Sequence, residues 1–132
     1  MDRPHMERHT FSKDERLTGR LRIQEVVTTG RTVHEKPFKL IGKVMALPTT
    51  APAQIAFAVP KRNQKLAVRR NRMKRLMREA WRLNKGPVHD RLRAKNEQCA
   101  WLVVYTGHGT ITFAETELKI TRAMSRWMNE HG

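Results

Sequence analysis

The sequence predicts a single α+β domain, an α/β sandwich in which one central sheet is packed by helices. Two stripes of apolar residues at helical spacing, one mid-chain and one near the end, supply the principal helices. Short apolar segments of strand length supply the sheet. At 132 residues the chain suits one domain and can bury a core without disulfides or a structural metal.

Residues 1–10 read as a flexible polar arm and residues 11–130 as the folded domain. Leu17, Leu21, Ile23, Val26 and Val27 suggest a short helix that Gly30 is placed to end. Phe38 to Met45 is apolar-rich with β-branched members, and Leu47 to Pro52 reads as a loop because two prolines punctuate a polar run. From Gln54 to Val59 the residues Ile55, Phe57 and Val59 share one face, with Ala56 and Ala58 on the other, as in a strand with one well-packed side. The longest helix follows. Met73, Leu76, Met77, Ala80 and Trp81 fall at i, i+3, i+4, i+7 and i+8, and Gly86-Pro87 is expected to stop it. Ala100 to Tyr105 is a continuous apolar run, short enough for a central strand, with Gly107-His108-Gly109 as the loop after it. A last helix, from about Ala114 to Asn129, turns Ile120, Ala123, Met124, Trp127 and Met128 inward. No internal repeat is present.

Lys and Arg number 27 against 12 acidic residues, a formal net charge of +15. A compact domain at that charge repels itself, so a polyanion is the expected stabilising partner. Nucleic acid is the first reading of the charge, and an anionic membrane surface is the second. The apolar share of 39% suffices for a compact fold and argues against wholesale disorder. No stretch approaches the ~20 apolar residues of a spanning helix, and the first ten residues lack the apolar centre of a secretion signal. Cys99 is the sole cysteine, so no intrachain disulfide can form and a reducing compartment fits. Beside the apolar run it reads as a small buried residue rather than a reactive thiol. The chain is therefore expected in the cytoplasm, with no membrane partner.

Between Lys61 and Arg82 stand Lys61, Arg62, Lys65, Arg69, Arg70, Arg72, Lys74, Arg75, Arg78 and Arg82, with Glu79 as the only acid. Helical spacing puts Arg70, Lys74, Arg78 and Arg82 in one i, i+4 row, flanked by Arg72 and Arg75 and off the apolar stripe. A charge run is usually just a solvated face. Solvated helices, however, interleave acids for i, i+4 pairing, and like charges at that spacing cost a few tenths of a kcal/mol per pair. A phosphate backbone would reverse that cost, and arginine forks onto phosphate where lysine is only a point charge. The helix reads as anchored by one face and offered to nucleic acid by the other.

The same residues carry a family resemblance. Val59-Pro60-Lys61-Arg62, then Ala67-Val68-Arg69-Arg70-Asn71-Arg72-Met73-Lys74-Arg75-Leu76-Met77-Arg78-Glu79-Ala80-Trp81-Arg82, resembles the signature of the ribonuclease P protein component. That signature is a strand ending in a basic pair, then a helix with Arg-Asn-Arg, Lys-Arg and Arg-Glu. Phe11-Ser12-Lys13 with Arg16-Leu17 is similar to the family's opening, and Leu102-Val103-Val104-Tyr105 stands where the family has its apolar strand. The resemblance spans Phe11 to Met128. It implies a left-handed βαβ crossover around the basic helix, an exception to the right-handed rule. It also implies that Arg69, Arg70, Asn71, Arg72, Lys74, Arg75 and Arg78 bind a catalytic RNA, the ribonuclease P RNA. A cleft between the sheet and the N-terminal helix would hold the single-stranded 5′ leader of precursor tRNA, with Phe11, Lys13, Lys39, Lys61 and Arg62 as candidate contacts.

Many members of the family carry aromatics on the first helix and first strand, where this chain has Ile23, Val27 and Ile41. Base stacking contributes ~1–3 kcal/mol per base, so leader binding is expected to lean on charge, from Lys13, Lys39, Lys43 and Lys61, and on Phe11 or Phe38. Trp81 and Trp127 read as core.

The protein itself is not expected to be the catalyst. Protein phosphodiesterases need clustered carboxylates for metals or an acid–base pair. Here Asp2, Asp14 and Asp90 are scattered; His5 and His9 could share a helical face but lie in the arm, and His34, His89, His108 and His131 show no metal spacing. By resemblance, Mg²⁺ is bound mainly by the RNA subunit and none by the protein alone. The protein would assist endonucleolytic removal of the leader as a monomer in a 1:1 complex with the RNA. A purely structural RNA-binding protein, such as a ribosomal component, is the alternative. The Arg-Asn-Arg helix favours the first.

Overall fold

The computed structural model describes residues 10–132, so the arm expected over 1–10 falls almost wholly outside them. After a 3-10 turn at Lys13–Glu15 come helix α1 (Arg20–Thr29) and strands β1 (Arg31–Glu35), β2 (Phe38–Val44) and β3 (Ala53–Ala58). Helices α2 (Ala67–Asn84) and α3 (Gly86–Ala94), strand β4 (Cys99–Tyr105) and helix α4 (Phe113–His131) follow. The strands form one sheet in the order β1-β2-β4-β3. β3 and β4 run parallel, joined by α2 and α3 in a βαβ crossover, and the other neighbours are antiparallel.

β4 takes a central place because it is apolar on both sides. Its residues Cys99, Trp101, Val103 and Tyr105 join Phe38, Leu40 and Ile55 in a core shared with α2, α3 and α4. Ala100 and Leu102 face the other way and, with Ile41, pack beneath Val26 of α1 and Leu17. The expected α+β sandwich is therefore found, with three helices on one face and α1 on part of the other.

Trp101 is the hub of the larger core. Its ring meets Trp81 of α2 edge-on at 5.9 Å between centroids and Trp127 of α4 at 5.5 Å. Gly42 of β2 is the cross-strand partner of Trp101. A Cβ at Gly42 would lie 2.2 Å from the Trp101 ring and 2.7 Å from that of Trp127, so only glycine leaves room for both indoles. Trp127 Nε1 donates to the Arg31 carbonyl at 2.9 Å and fastens α4 over β1. Trp81 and Trp127 are core residues, as expected from their helical faces.

Several local expectations are corrected. β1 was not foreseen, because Arg-Thr-Val-His-Glu buries only Val33. Gly86-Pro87 does not simply stop a helix: α2 has already ended at Asn84, and proline, which needs no amide partner in a first turn, opens α3. α4, with 19 residues, is longer than α2 with 18. Leu17 lies outside α1; its amide donates to the Ile55 carbonyl at 3.0 Å, beside a parallel bridge between Arg16 and Ile55. Leu21 and Val27 point outward rather than into the sheet. Gly30 does follow α1, and a Cβ there would sit 2.4 Å from the Val26 carbonyl oxygen and 2.7 Å from that of Gly42.

Two buried polar groups sit at the α2–α3 junction. The Lys85 ammonium is buried against the Glu15 carboxylate and the Thr10 carbonyl, tying the N-terminal segment to the helix layer. His89 is buried edge-on to Trp81 at 5.7 Å. Burial, and after it the neighbouring Lys85 charge, holds the His89 imidazole down at about 4. Cys99 is fully buried, and burial followed by the Glu97 charge pushes its thiol up to about 12, which agrees with an inert core residue.

Replacing Trp81 by Ala should lower unfolding free energy by about 3–5 kcal/mol in a urea titration, since the ring is buried between two aromatic neighbours. A separate pH effect follows from His89. Its folded value lies below the ordinary imidazole value of 6.5, so the unfolded chain binds the proton first as pH falls. Stability is fully present above pH 6.5 and should decline towards pH 4, by at most roughly 3 kcal/mol. Urea midpoints compared at pH 7 and pH 4.5 should show this slope in the wild type and a flatter one in His89→Leu.

Candidate nucleic-acid interface

α2 carries two opposed faces because its apolar residues keep strict helical spacing. Met73, Met77, Ala80 and Trp81 are buried, with Leu76 half-buried at their margin. Arg69, Asn71, Arg72, Arg75 and Arg78 are exposed, and Lys74 is half-buried on the flank. The helix begins at Leu66, which offers no side-chain cap, and its first turn holds no acid. Nothing local therefore offsets the positive end of the helix dipole. Lys61, Arg62 and Lys65 stand exposed in the turn leading into it.

Several acids are already engaged. Glu79 pairs with Arg82 at 2.6 Å, Glu25 with Lys43 at 2.7 Å, and Glu15 with Lys85. Glu35 of β1 receives Lys119, Arg122 and Arg126 of α4 at 3.9, 3.4 and 3.1 Å. Burial alone would raise the Glu35 carboxyl, yet hydrogen bonds from Arg126 and Arg122 outweigh it and hold the group below its ordinary value. Among the described residues, Lys61, Arg62, Lys65, Arg69, Arg72, Lys74, Arg75 and Arg78 have no acidic partner.

Arg70 departs from the expected outward row. At the first turn of α2 its position falls beside the buried stripe, and the guanidinium turns back to donate to the Gln64 and Lys65 carbonyls at 3.1 and 2.8 Å. It braces the turn that presents Lys61, Arg62 and Lys65. Arg82 likewise is half-buried and committed to Glu79. Asn63 links the same turn to the end of β4: its side-chain amide donates to the Tyr105 carbonyl at 3.3 Å, and its own carbonyl lies 3.3 Å from His108 Nδ1.

The second face of the sheet is only partly covered. α1 lies over Ile41, Ala100 and Leu102, and Val26 fills that contact. The adjacent cross-strand row, His34–Lys39–Val104–Ala58, is exposed or half-buried, and Ala56 beside it is half-buried. Small alanines keep this strip shallow, Lys39 supplies its charge, and the strip runs out into the Lys61–Arg62 turn. The alternation at Ala56 and Ala58 was visible in the sequence, but not that α1 stops short of them. Lys13 is exposed on the 3-10 turn. Phe11 packs against Phe57 at 6.0 Å, under the Arg16 guanidinium, and belongs to the core on the α2 side of the sheet rather than to the strip. Phe38 is core, Ile41 is buried beneath α1, and Lys43 is held by Glu25 and Thr29. Ile23 is half-buried and Val27 exposed on α1.

Among the described residues, no three of His, Cys, Asp and Glu converge in a way that could hold a metal ion, and no helix is long and apolar enough to cross a membrane. Arg70→Ala should free two carbonyls and cost about 1 kcal/mol in a thermal or urea melt. Arg72→Ala should change stability by less than about 0.5 kcal/mol.

Comparison with known proteins shows the family and the fold. A family model described as Ribonuclease P matches residues 11–128. The ribonuclease P protein component of Porphyromonas gingivalis is 36% identical over 85 residues, which cover 64% of this chain and 62% of that protein. The chain thus spans less than two thirds of the length of the curated relatives it matches. Among solved structures, the RNase P protein of Staphylococcus aureus superposes with a TM-score of 0.65 at 16% identity, covering 86% of this chain and 95% of the other. That of Thermotoga maritima gives 0.65 at 19%, covering 85% and 96%. At such identity these two establish the fold alone. The match of the family model over nearly the whole described chain settles the family: the chain belongs to the ribonuclease P protein family.

Proposed function

We propose that this chain is the protein subunit of a cytoplasmic ribonuclease P, one copy bound to one catalytic RNA. The observation that carries the proposal is the run of cations from Lys61 to Arg78, without acidic partners among the described residues, on a helix whose other face is locked into the core. That helix cannot rotate its charge away, so it presents fixed guanidinium groups that phosphates can meet without reorganisation. Arg69, Asn71, Arg72, Lys74, Arg75 and Arg78 face the catalytic RNA, with Arg70 bracing the neighbouring turn.

The open strip between α1 and the strand ends takes the leader of precursor tRNA. Lys39, Lys61 and Arg62 grip its phosphates, Lys13 lies further along the same N-terminal segment, and Ala56, Ala58 and Val104 offer a smooth floor to unstacked bases. Mature tRNA lacks the leader, so this contact favours substrate over product. Phe11 serves by holding the segment that bears Lys13.

Hydrolysis of a phosphodiester in such a particle draws on Mg²⁺, which would polarise the phosphoryl oxygens. Glu15, Glu25, Glu35 and Glu79 already face cations, and among the described residues no three acidic, His or Cys side chains converge where Mg²⁺ could be held. The chemistry is accordingly assigned to the RNA. The protein screens phosphate repulsion where RNA and substrate meet, which lowers the Mg²⁺ needed.

Mixing purified protein with ribonuclease P RNA and precursor tRNA at low Mg²⁺ tests this. Leader removal should be faster than with RNA alone, and the acceleration should fade as salt rises. No acceleration would leave only a structural RNA-binding role and overturn the proposal.

A further inference from the structure

Val68 is the second residue of α2, is 77% exposed, and has no place in either core cluster. A β-branched side chain lowers helix propensity relative to alanine, so neither burial nor helix formation accounts for it. Its helical neighbours at i+3, i+4 and i+7 are Asn71, Arg72 and Arg75, all exposed. This outward stripe mirrors the inward one, with an apolar group at its head and cations along its length.

Charge decides what can cover such a patch. An apolar protein surface would bury the valine but strand the guanidinium groups around it. A folded RNA offers both partners, with phosphates for the cations and the flat faces of riboses and bases for the methyl groups. We propose that Val68 packs on a ribose or base face of the catalytic RNA, as an apolar foot that sets where α2 sits on it. The inference rests on the reading of ribonuclease P RNA as the partner. It deepens that reading by assigning part of the affinity to a contact that salt does not screen.

Val68→Ala removes the methyl groups while improving helix propensity, so a loss of binding cannot be ascribed to unfolding. The full chain is titrated with ribonuclease P RNA over a series of KCl concentrations. Val68→Ala should weaken binding about three- to tenfold at every salt and leave the slope of log K against log salt unchanged. Val68→Ile should bind like the wild type. Arg72→Ala should instead reduce the slope by about 0.7–0.9. Wild-type-like affinity of Val68→Ala, or a change in its slope, overturns the inference while the RNA partner stands. Failure of the wild type to bind the RNA overturns both.

Discussion

The contact of Trp101 with Trp81 and Trp127 is the constraint on which the rest depends. A strand in the middle of the sheet lifts one large ring into the helix layer, and the two long helices each set a tryptophan against its edge. Edge-to-face pairs of this kind add about 0.5–1.5 kcal/mol each beyond the area they bury. Their larger effect is geometric. With Trp81 seated, α2 has one rotation about its axis, and that rotation decides which side chains face out. Gly42 is part of the same device, since the absence of a side chain on β2 is what lets the indoles meet. The basic surface is thus a consequence of core packing.

Charge is distributed with the same economy. A chain with a net charge of +15 has few acids to place, and three of them join separate elements rather than neutralise α2. Glu35 gathers three cations and holds α4 to β1; Glu15 closes on Lys85; Glu25 ties Lys43 to α1. Glu79 is the exception on α2, and it is occupied by Arg82. Repulsion among the remaining cations is left for a partner to relieve.

How much of this was legible in the sequence follows from where each signal lives. Strict spacing at Met73, Met77, Ala80 and Trp81 revealed α2 and its inner face, and the unbroken apolar run revealed β4 as a central strand. β1 was hidden because an edge strand needs only one apolar residue, Val33, and α3 because a proline reads equally well as an end or a beginning. For the site, the outward position of Arg72, Arg75 and Arg78 followed from helical geometry. The inward turn of Arg70 did not, because it depends on two carbonyls from the preceding turn, which periodicity cannot see. Phe11 and Lys43 looked available in one dimension and are engaged in three, by Phe57 and by Glu25.

The flanks of the sheet carry a last consequence. The middle of the outer margin of β3 is taken up by the chain's own Arg16–Leu17 stretch, and β1, on the opposite margin, displays Arg31, Thr32 and His34 to solvent. Polar fringes and self-capping are the usual guards against strand-to-strand aggregation. A polypeptide seeking to lengthen this sheet by adding its own backbone meets a blocked side and a hydrophilic one. Contact with any partner is then left to side chains rather than to strand addition.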